Sequence, residues 1–227
     1  MKIHISGVCG TATASLAGLL KAKGHHVTGS DQDVYPPMSD ELARMGVDVR
    51  SPYAEANIPQ DADLVVIGNA LSRGNPEVEA VLDAKRRYTS QAALLADEFL
   101  RDRTSIVVAG THGKTTTTSM LTHMLRHAGR DPSFLIGGVS LDLGQSYGLG
   151  RGPHFVVEGD EYDTAFFDKR PKFVHYLPDI AIIGNVEFDH ADIYEDLAAV
   201  QLAFTRLMSV VPRRGLLVAG IESPALA

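Results

Sequence analysis

The stretch VVAGTHGKTTTTSML, residues 107–121, constrains this chain more than any other. An apolar run feeds into Gly110 and Gly113, a single lysine follows, then four threonines, and apolar residues return at helical spacing. A run that turns through glycine into an amphipathic helix is the strand–turn–helix unit of an α/β sheet. Glycine lets backbone N–H groups approach an anion without a Cβ in the way, and the helix N-terminus adds partial positive charge. Lys114 can reach the outer phosphates of a nucleoside triphosphate, and the Thr115 hydroxyl is a hard oxygen donor suited to Mg²⁺. Gly110, Thr111, His112, Gly113, Lys114, Thr115 and Thr116 are therefore the candidate ATP-binding residues. The strict GxxxxGK[ST] spacing is not met, because Val108 stands where its first glycine belongs. GKT alone also fits a capped helix with threonines in its first turn; the strand before it and the helix after it favour the nucleotide.

The same alternation runs along the whole chain. Strands are expected at 2–8, 26–31, 47–50 and 62–69, and helices at 11–25, 39–47, 75–87 and 89–100, which is a doubly wound pattern. The charged segment RDRTS, 101–105, marks the boundary between a first domain, 1–103, and a second, 104–227. The second domain repeats the pattern, with strands at 106–110 and 132–138, within 153–163 and 180–190, and at 214–220, and helices at 114–127 and 197–211. A net charge of −7 gives no electrostatic footprint for nucleic acid or an anionic membrane. No stretch reaches the apolar length of a membrane span, and Cys9 stands alone, so a cytoplasmic protein without an internal disulfide is expected.

Two acidic clusters follow strands of the second domain. VVEGDEYD places Glu158, Asp160, Glu161 and Asp163 at one strand end, and GNVEFDHAD places Asn185, Glu187, Asp189, His190 and Asp192 at another. Ligands of open α/β sheets bind outside the carboxyl ends of strands, so both clusters can face the phosphate loop and hold Mg²⁺. Each acid taken alone is equally read as a solvated loop residue. Coordination chemistry makes His190 a hydrogen-bonding loop residue, since a hard ion prefers oxygen.

GVCGTATASLAG, from Gly7, is a second glycine turn between a strand and a helix. It approximates a dinucleotide fingerprint, with Thr13 in place of the third glycine and Asp31 at the end of the next strand. A nicotinamide site, a tight turn that needs glycine for geometry, and a different nucleotide diphosphate on the helix N-terminus all remain open from these residues. GNALSRGNPE adds Asn69, Ser72, Arg73 and Asn75 as polar groups at another strand end, or as a loop of turn formers.

Together, GTHGKTTT, EGDEYD and NVEFDH resemble the central ATPase domain of the Mur ligases, and GVCGTATASLAGLL, GSDQDVYPPMS and IGNALSRGNPEVEAVL resemble that family's N-terminal domain. The resemblance spans residues 1 to about 220. It implies an α/β chain with an N-terminal Rossmann-like parallel-sheet domain and part of a P-loop ATPase domain. The Gly7, Cys9, Gly10 and Thr11 turn would meet a UDP-sugar diphosphate, and Asp31, Asn69, Ser72 and Asn75 its uridine or sugar. In the ATP site, Lys114 would serve the phosphates, and Thr115, Glu161 and His190 would serve magnesium, with Lys114, Glu161 and His190 as the catalytic set. The implied reaction is ATP-dependent amide formation through an acyl phosphate. VYPPMS and FFDKRPKFVHY are most similar to the member that joins UDP-N-acetylmuramate to the tripeptide L-Ala-γ-D-Glu-meso-diaminopimelate, in peptidoglycan recycling. The member that adds L-alanine is the alternative. The family also has a C-terminal ligase domain that this sequence does not contain, so a fragment of a longer enzyme is expected, binding rather than ligating by itself. A non-catalytic nucleotide-sugar-binding module is the reading from another functional class.

Overall fold

The computed structural model describes residues 1–138, 142–188 and 194–226. The chain forms two compact units, Met1–Leu94 with Thr164–Lys169, and Leu95–Asp163 with Arg170–Ala227.

In the first unit the order is β1 (Lys2–Ser6), α1 (Thr11–Ala22), β2 (His26–Ser30), α2 (Met38–Arg44), β3 (Asp48–Arg50), β4 (Leu64–Ile67), α3 (Pro76–Asp83), β5 (Tyr88–Ser90) and α4 (Gln91–Leu95), with a 3₁₀ turn at Glu55–Asn57. The strands form one sheet in the order β3-β2-β1-β4-β5, and its pairs are parallel. A strand that is buried on both faces reads as a continuous apolar run, as LVVI of β4 does. Along α1, every residue from Thr13 to Leu20 is buried. Ile58, Val65, Ile67, Leu71, Val78 and Val81 make a core cluster, against which Tyr53, Leu82 and Phe166 pack. Phe166 comes from far along the chain, in the segment that belongs to this unit.

The second unit contains β6 (Thr104–Ala109), α5 (Lys114–His127), β7 (Ser133–Leu135), β8 (Tyr147–Gly148), β9 (His154–Glu158), β12 (Ile180–Ile183), α6 (Leu197–Ser209) and β13 (Leu216–Ala219). Between β9 and β12 lie the two strands of a separate small sheet, β10 (Asp163–Ala165) and β11 (Asp168–Pro171). The main sheet runs β13-β12-β6-β9-β7-β8, parallel except for the antiparallel β7–β8 pair. Its core cluster is Ile106, Val108, Phe134, Ile136, Leu143 and Val156. The α/β class and the parallel sheets are as expected. The short strands β8, β10 and β11 were not expected, and the helix expected over 89–100 is preceded by strand β5 and completed as a π-helical turn at Ala96–Leu100. Pairing with β4 in register, Ile67 opposite Ser90, draws Tyr88–Ser90 into the sheet although its apolar spacing reads as helical.

Candidate functional sites

Each unit places a glycine turn at the carboxyl end of its parallel sheet. In the second unit, β6 delivers the chain to Gly110 and Gly113, and α5 begins at Lys114. Gly113 is the N-cap residue, in the left-handed region at φ 78°, where glycine alone carries no steric penalty, and no side chain caps the helix. The first turn of a fourteen-residue helix therefore presents its amides without a competing side-chain acceptor. The loop is fastened to the end of β12. Thr111 N–H donates to Asn185 O (3.0 Å), His112 N–H donates to Asn185 Oδ1 (2.8 Å), and Glu187 N–H donates to Thr111 Oγ1 (2.9 Å). A Cβ on Gly110 would lie 3.1 Å from Asn185 O, so only glycine lets the loop and β12 come this close.

Lys114 Nζ donates to both oxygens of Glu161, at 3.0 and 2.9 Å, and to the carbonyls of Gly110 (2.8 Å) and Thr111 (3.3 Å). Glu161 is 3% exposed. Burial raises its carboxyl above the ordinary range, and the Lys114 charge only partly opposes this. The loop that carries Glu161 is itself pinned. Lys172 Nζ donates to Asp160 Oδ2 (2.6 Å), Tyr162 N–H to Asp160 Oδ1 (2.9 Å), and Tyr194 Oη to Glu161 O (2.7 Å).

Thr115 Oγ1 meets a different acid, Glu158, at 3.1 Å, and Gly137 N–H holds the other Glu158 oxygen at 2.8 Å. The structure thus brings together Gly110, Thr111, His112, Gly113, Lys114, Thr115, Thr116 and Glu161 of the expected set and adds Glu158 at the threonine hydroxyl. Glu158 stands at the last position of β9, where an acid at a strand end was visible but could not be ranked above its neighbours. His190, Asp189 and Asp192 lie outside the described residues. Thr115 and Thr116 also line a cleft of about 400 Å³ along α5 with Ser119, Met120, His123, Met124 and Asp142.

In the first unit the turn after β1 is closed by different means. Gly7 and Val8 N–H groups donate to Ser30 O (2.8 and 3.1 Å), and Cys9 N–H donates to Asp31 Oδ2 (2.8 Å). Asp31 Oδ1 accepts from Tyr53 Oη (2.9 Å) and Gln32 N (2.8 Å). Asp31 therefore organises the turn, a role the strand-end position alone did not reveal. Thr13, at the place of a third fingerprint glycine, donates its hydroxyl to Gly7 O (2.7 Å) and Gly10 O (2.9 Å). Gly10 is the N-cap of α1, and no side chain caps that helix either. Burial, and then the Asp31 charge, push the Cys9 thiol up to about 11. Asn75 caps a helix: its Oδ1 accepts from Glu77 N (2.9 Å) and Val78 N (3.3 Å) as the N-cap of α3. Arg73 is held by Glu79 through two bonds, at 2.9 and 3.0 Å. Asn69 and Ser72 are exposed. The residues of this unit that the sequence did not single out are Tyr53 and Glu77, because nothing local distinguishes a buried acid in a first helical turn from a solvated one.

Residues 2–103 match the model of the Mur ligase family catalytic domain, and residues 108–227 match that of the Mur ligase middle domain. The chain is 52% identical over 215 residues to the UDP-N-acetylmuramate–L-alanyl-γ-D-glutamyl-meso-2,6-diaminoheptandioate ligase of Escherichia coli, covering 95% of this chain and 47% of that protein. It is 39% identical over 227 residues to the UDP-N-acetylmuramate–L-alanine ligase of Rubrobacter xylanophilus, covering 99% of this chain and 48% of the relative. Among solved structures, the UDP-N-acetylmuramate:L-alanyl-γ-D-glutamyl-meso-diaminopimelate ligase from Neisseria meningitides superposes with a TM-score of 0.94 at 46% identity, over 99% of this chain and 72% of that one. The chain spans about half the length of the curated relatives it matches.

Proposed function

The chain belongs to the Mur ligase family, and on that premise we propose that it carries the nucleotide-sugar site and part of the ATP site of a ligase joining UDP-N-acetylmuramate to the tripeptide L-Ala-γ-D-Glu-meso-diaminopimelate. The observation that carries this reading is the lysine at an uncapped helix start, flanked by two carboxylates with separate partners: Glu161 on Lys114 and Glu158 on Thr115. The higher identity to the tripeptide ligase, 52% against 39%, favours it over the L-alanine ligase.

ATP supplies the phosphoryl group that activates the muramic acid carboxylate. The carboxylate oxygen bonds to the γ-phosphorus, ADP leaves, and the tripeptide amine then displaces phosphate from the acyl carbon. Such a transfer asks the protein for position and positive charge rather than for a nucleophile. Lys114 supplies the charge. To do so it exchanges Glu161 for phosphate oxygens, and the lysine stays paired throughout. The α5 amides take the inner phosphates. Magnesium fits the hard oxygens of Thr115 and Glu158, which already converge at 3.1 Å, and there it would offset charge on the phosphates. We assign Glu158 to that ion alongside Thr115, and Glu161 to Lys114; His190 keeps the magnesium role that the family resemblance implies.

In the first unit, the amides at the start of α1 would take the diphosphate, with Gly7, Cys9, Gly10 and Thr11 as the cradle and Asn69 and Ser72 as exposed polar groups for the sugar side. Among the described residues no helix is long and apolar enough to cross a membrane, and the proposed substrates are cytoplasmic. Calorimetric titration of this chain with UDP-N-acetylmuramate, followed by Mg²⁺-ATP, tests the reading. Saturable binding of both is expected; a folded chain that takes neither overturns it.

A further inference from the structure

The first unit buries a carboxylate that the proposed chemistry does not use. Glu77 is fully buried at the second position of α3, fixed there by the Asn75 cap. Its Oε2 accepts from the hydroxyls of Ser6 and Ser30, each at 2.5 Å. Its Oε1 accepts from Asn57 Nδ2 at 2.9 Å and Ala54 N at 3.3 Å. His4 Nε2 lies 3.6 Å from Oε2 and 3.2 Å from Ser30 Oγ, and His4 Nδ1 is 2.9 Å from Thr28 Oγ1.

The donors are not scattered. Ser6 is the last residue of β1 and precedes Gly7, while Ser30 is the last residue of β2 and precedes Asp31. Ser6 and Ser30 are opposite each other in the parallel register, and Ile67, the last residue of β4, is the other neighbour of Ser6. Asn57 and Ala54 belong to the segment that also carries Tyr53, whose hydroxyl reaches Asp31. One side chain therefore ties together the two strand ends from which the glycine turn and Asp31 emerge, and the segment that holds Asp31 from the other side.

We propose that Glu77 is a positioning residue for nucleotide-sugar binding: its two oxygens set the spacing between the β1 turn, Asp31 and the Tyr53 segment, and so the cradle that receives the diphosphate. The inference rests on the reading of the first unit as a nucleotide-sugar site. A buried carboxylate is retained in ionised form only when its lone pairs are filled, and here four donors fill them. Burial alone would raise its carboxyl, but the nearby His4 and the bonds from Ser30, Ser6 and Asn57 outweigh this and hold it at about 2. What the site needs from Glu77 is acceptors in this pattern. Glutamine can meet most of it. Its carbonyl can serve Asn57 and Ala54, and its amide can donate to the Ser6 and Ser30 oxygens once those hydroxyls turn, since a hydroxyl both donates and accepts. Alanine meets none of it.

The test is calorimetric titration of UDP-N-acetylmuramate, and separately of Mg²⁺-ATP, into the 227-residue chain and its variants. E77A is expected to raise the UDP-N-acetylmuramate dissociation constant about tenfold or more, whereas E77Q stays within about threefold of the parent. The Mg²⁺-ATP constant is unchanged in both. If E77A does not fold by circular dichroism, N57A replaces it, removing one donor on Oε1; a rise of about threefold is expected. The proposal is overturned by parental affinity in E77A, or in N57A where it stands in, by an E77Q as weak as E77A, or by a parallel loss of Mg²⁺-ATP affinity. A parent chain that itself fails to bind UDP-N-acetylmuramate overturns the site reading, and the inference with it, before any variant is compared.

Discussion

The turns after β1 and after β6 are built from the same parts and are wired differently. Both follow a buried parallel strand, both pass through glycine, and both lead into a helix that no side chain caps. Their charge is opposite in design. After β6, a lysine sits inside the loop with a buried glutamate as its resting partner. After β1 there is no lysine, and a carboxylate, Asp31, holds the loop amide of Cys9 from below. Helix amides and dipole suffice to hold a diphosphate that stays intact. A phosphate that is transferred develops charge in the transition state, and a mobile cation is what meets it. On the proposed function, the difference between the loops separates holding from reacting.

The largest expected effect breaks that symmetry directly. In a ligase of the proposed activity that contains this sequence, Lys114→Ala should lower ligation by about a thousandfold, a loss typical of removing a transition-state charge contact, while UDP-N-acetylmuramate affinity stays close to parental. Equal loss of both, measured by steady-state assay and titration, would sink the division of labour.

The two units should also differ in acid. Glu77 is lowered from 4.5 to about 2, so its contribution to the first unit is complete above pH 4.5 and is lost as pH falls toward 2. By linkage this amounts to about 3 kcal/mol. Glu161 is raised, so the second unit loses stability as pH climbs from 4.5 through its folded value. Hydrogen exchange resolved by segment between pH 2 and 6 should give slopes of opposite sign. E77Q should flatten the first and E161Q the second, and slopes of the same sign would contradict the contrast.

A smaller effect is expected at Asp31. Asp31→Ala frees the Cys9 amide and the Tyr53 hydroxyl, and about a tenfold loss of UDP-sugar affinity follows, with Mg²⁺-ATP affinity unmoved. Unchanged sugar-nucleotide binding would remove Asp31 from the cradle. Smallest of all is Cys9→Ala. Alanine keeps the backbone N–H that donates to Asp31, so affinity should stay within about twofold. The thiol, pushed up to about 11, should alkylate slowly at pH 8; rapid labelling would contradict its burial against Asp31.

Much of the α/β frame was legible because buried parallel strands and amphipathic helices differ in period, as LVVI and the 114–127 helix do. The glycine and lysine turn into α5 was legible for the same reason, since its residues are placed by strand and helix boundaries. What the sequence did not disclose was set by pairing across long distances. Tyr88–Ser90 becomes a strand because β4 offers an open edge. Asn75 Oδ1 caps α3, and Thr13 closes the turn with a hydroxyl at the place of a fingerprint glycine. Among four acids at one strand end, Glu158 and Glu161 were separated only by which partner each reaches.

The segment Thr164–Lys169 packs with the first unit although most of that unit ends at Leu94. Phe166 packs against its core cluster, and the Phe167 ring meets Tyr88 edge-on with centroids 5.0 Å apart. A ribosome makes the chain from the N-terminus onward, so the earlier unit waits for a piece of sequence that emerges in the middle of the later one. The unit begun first is therefore sealed only after β6, α5 and β9 of the second have been made, and shortly before the second receives its own last strands.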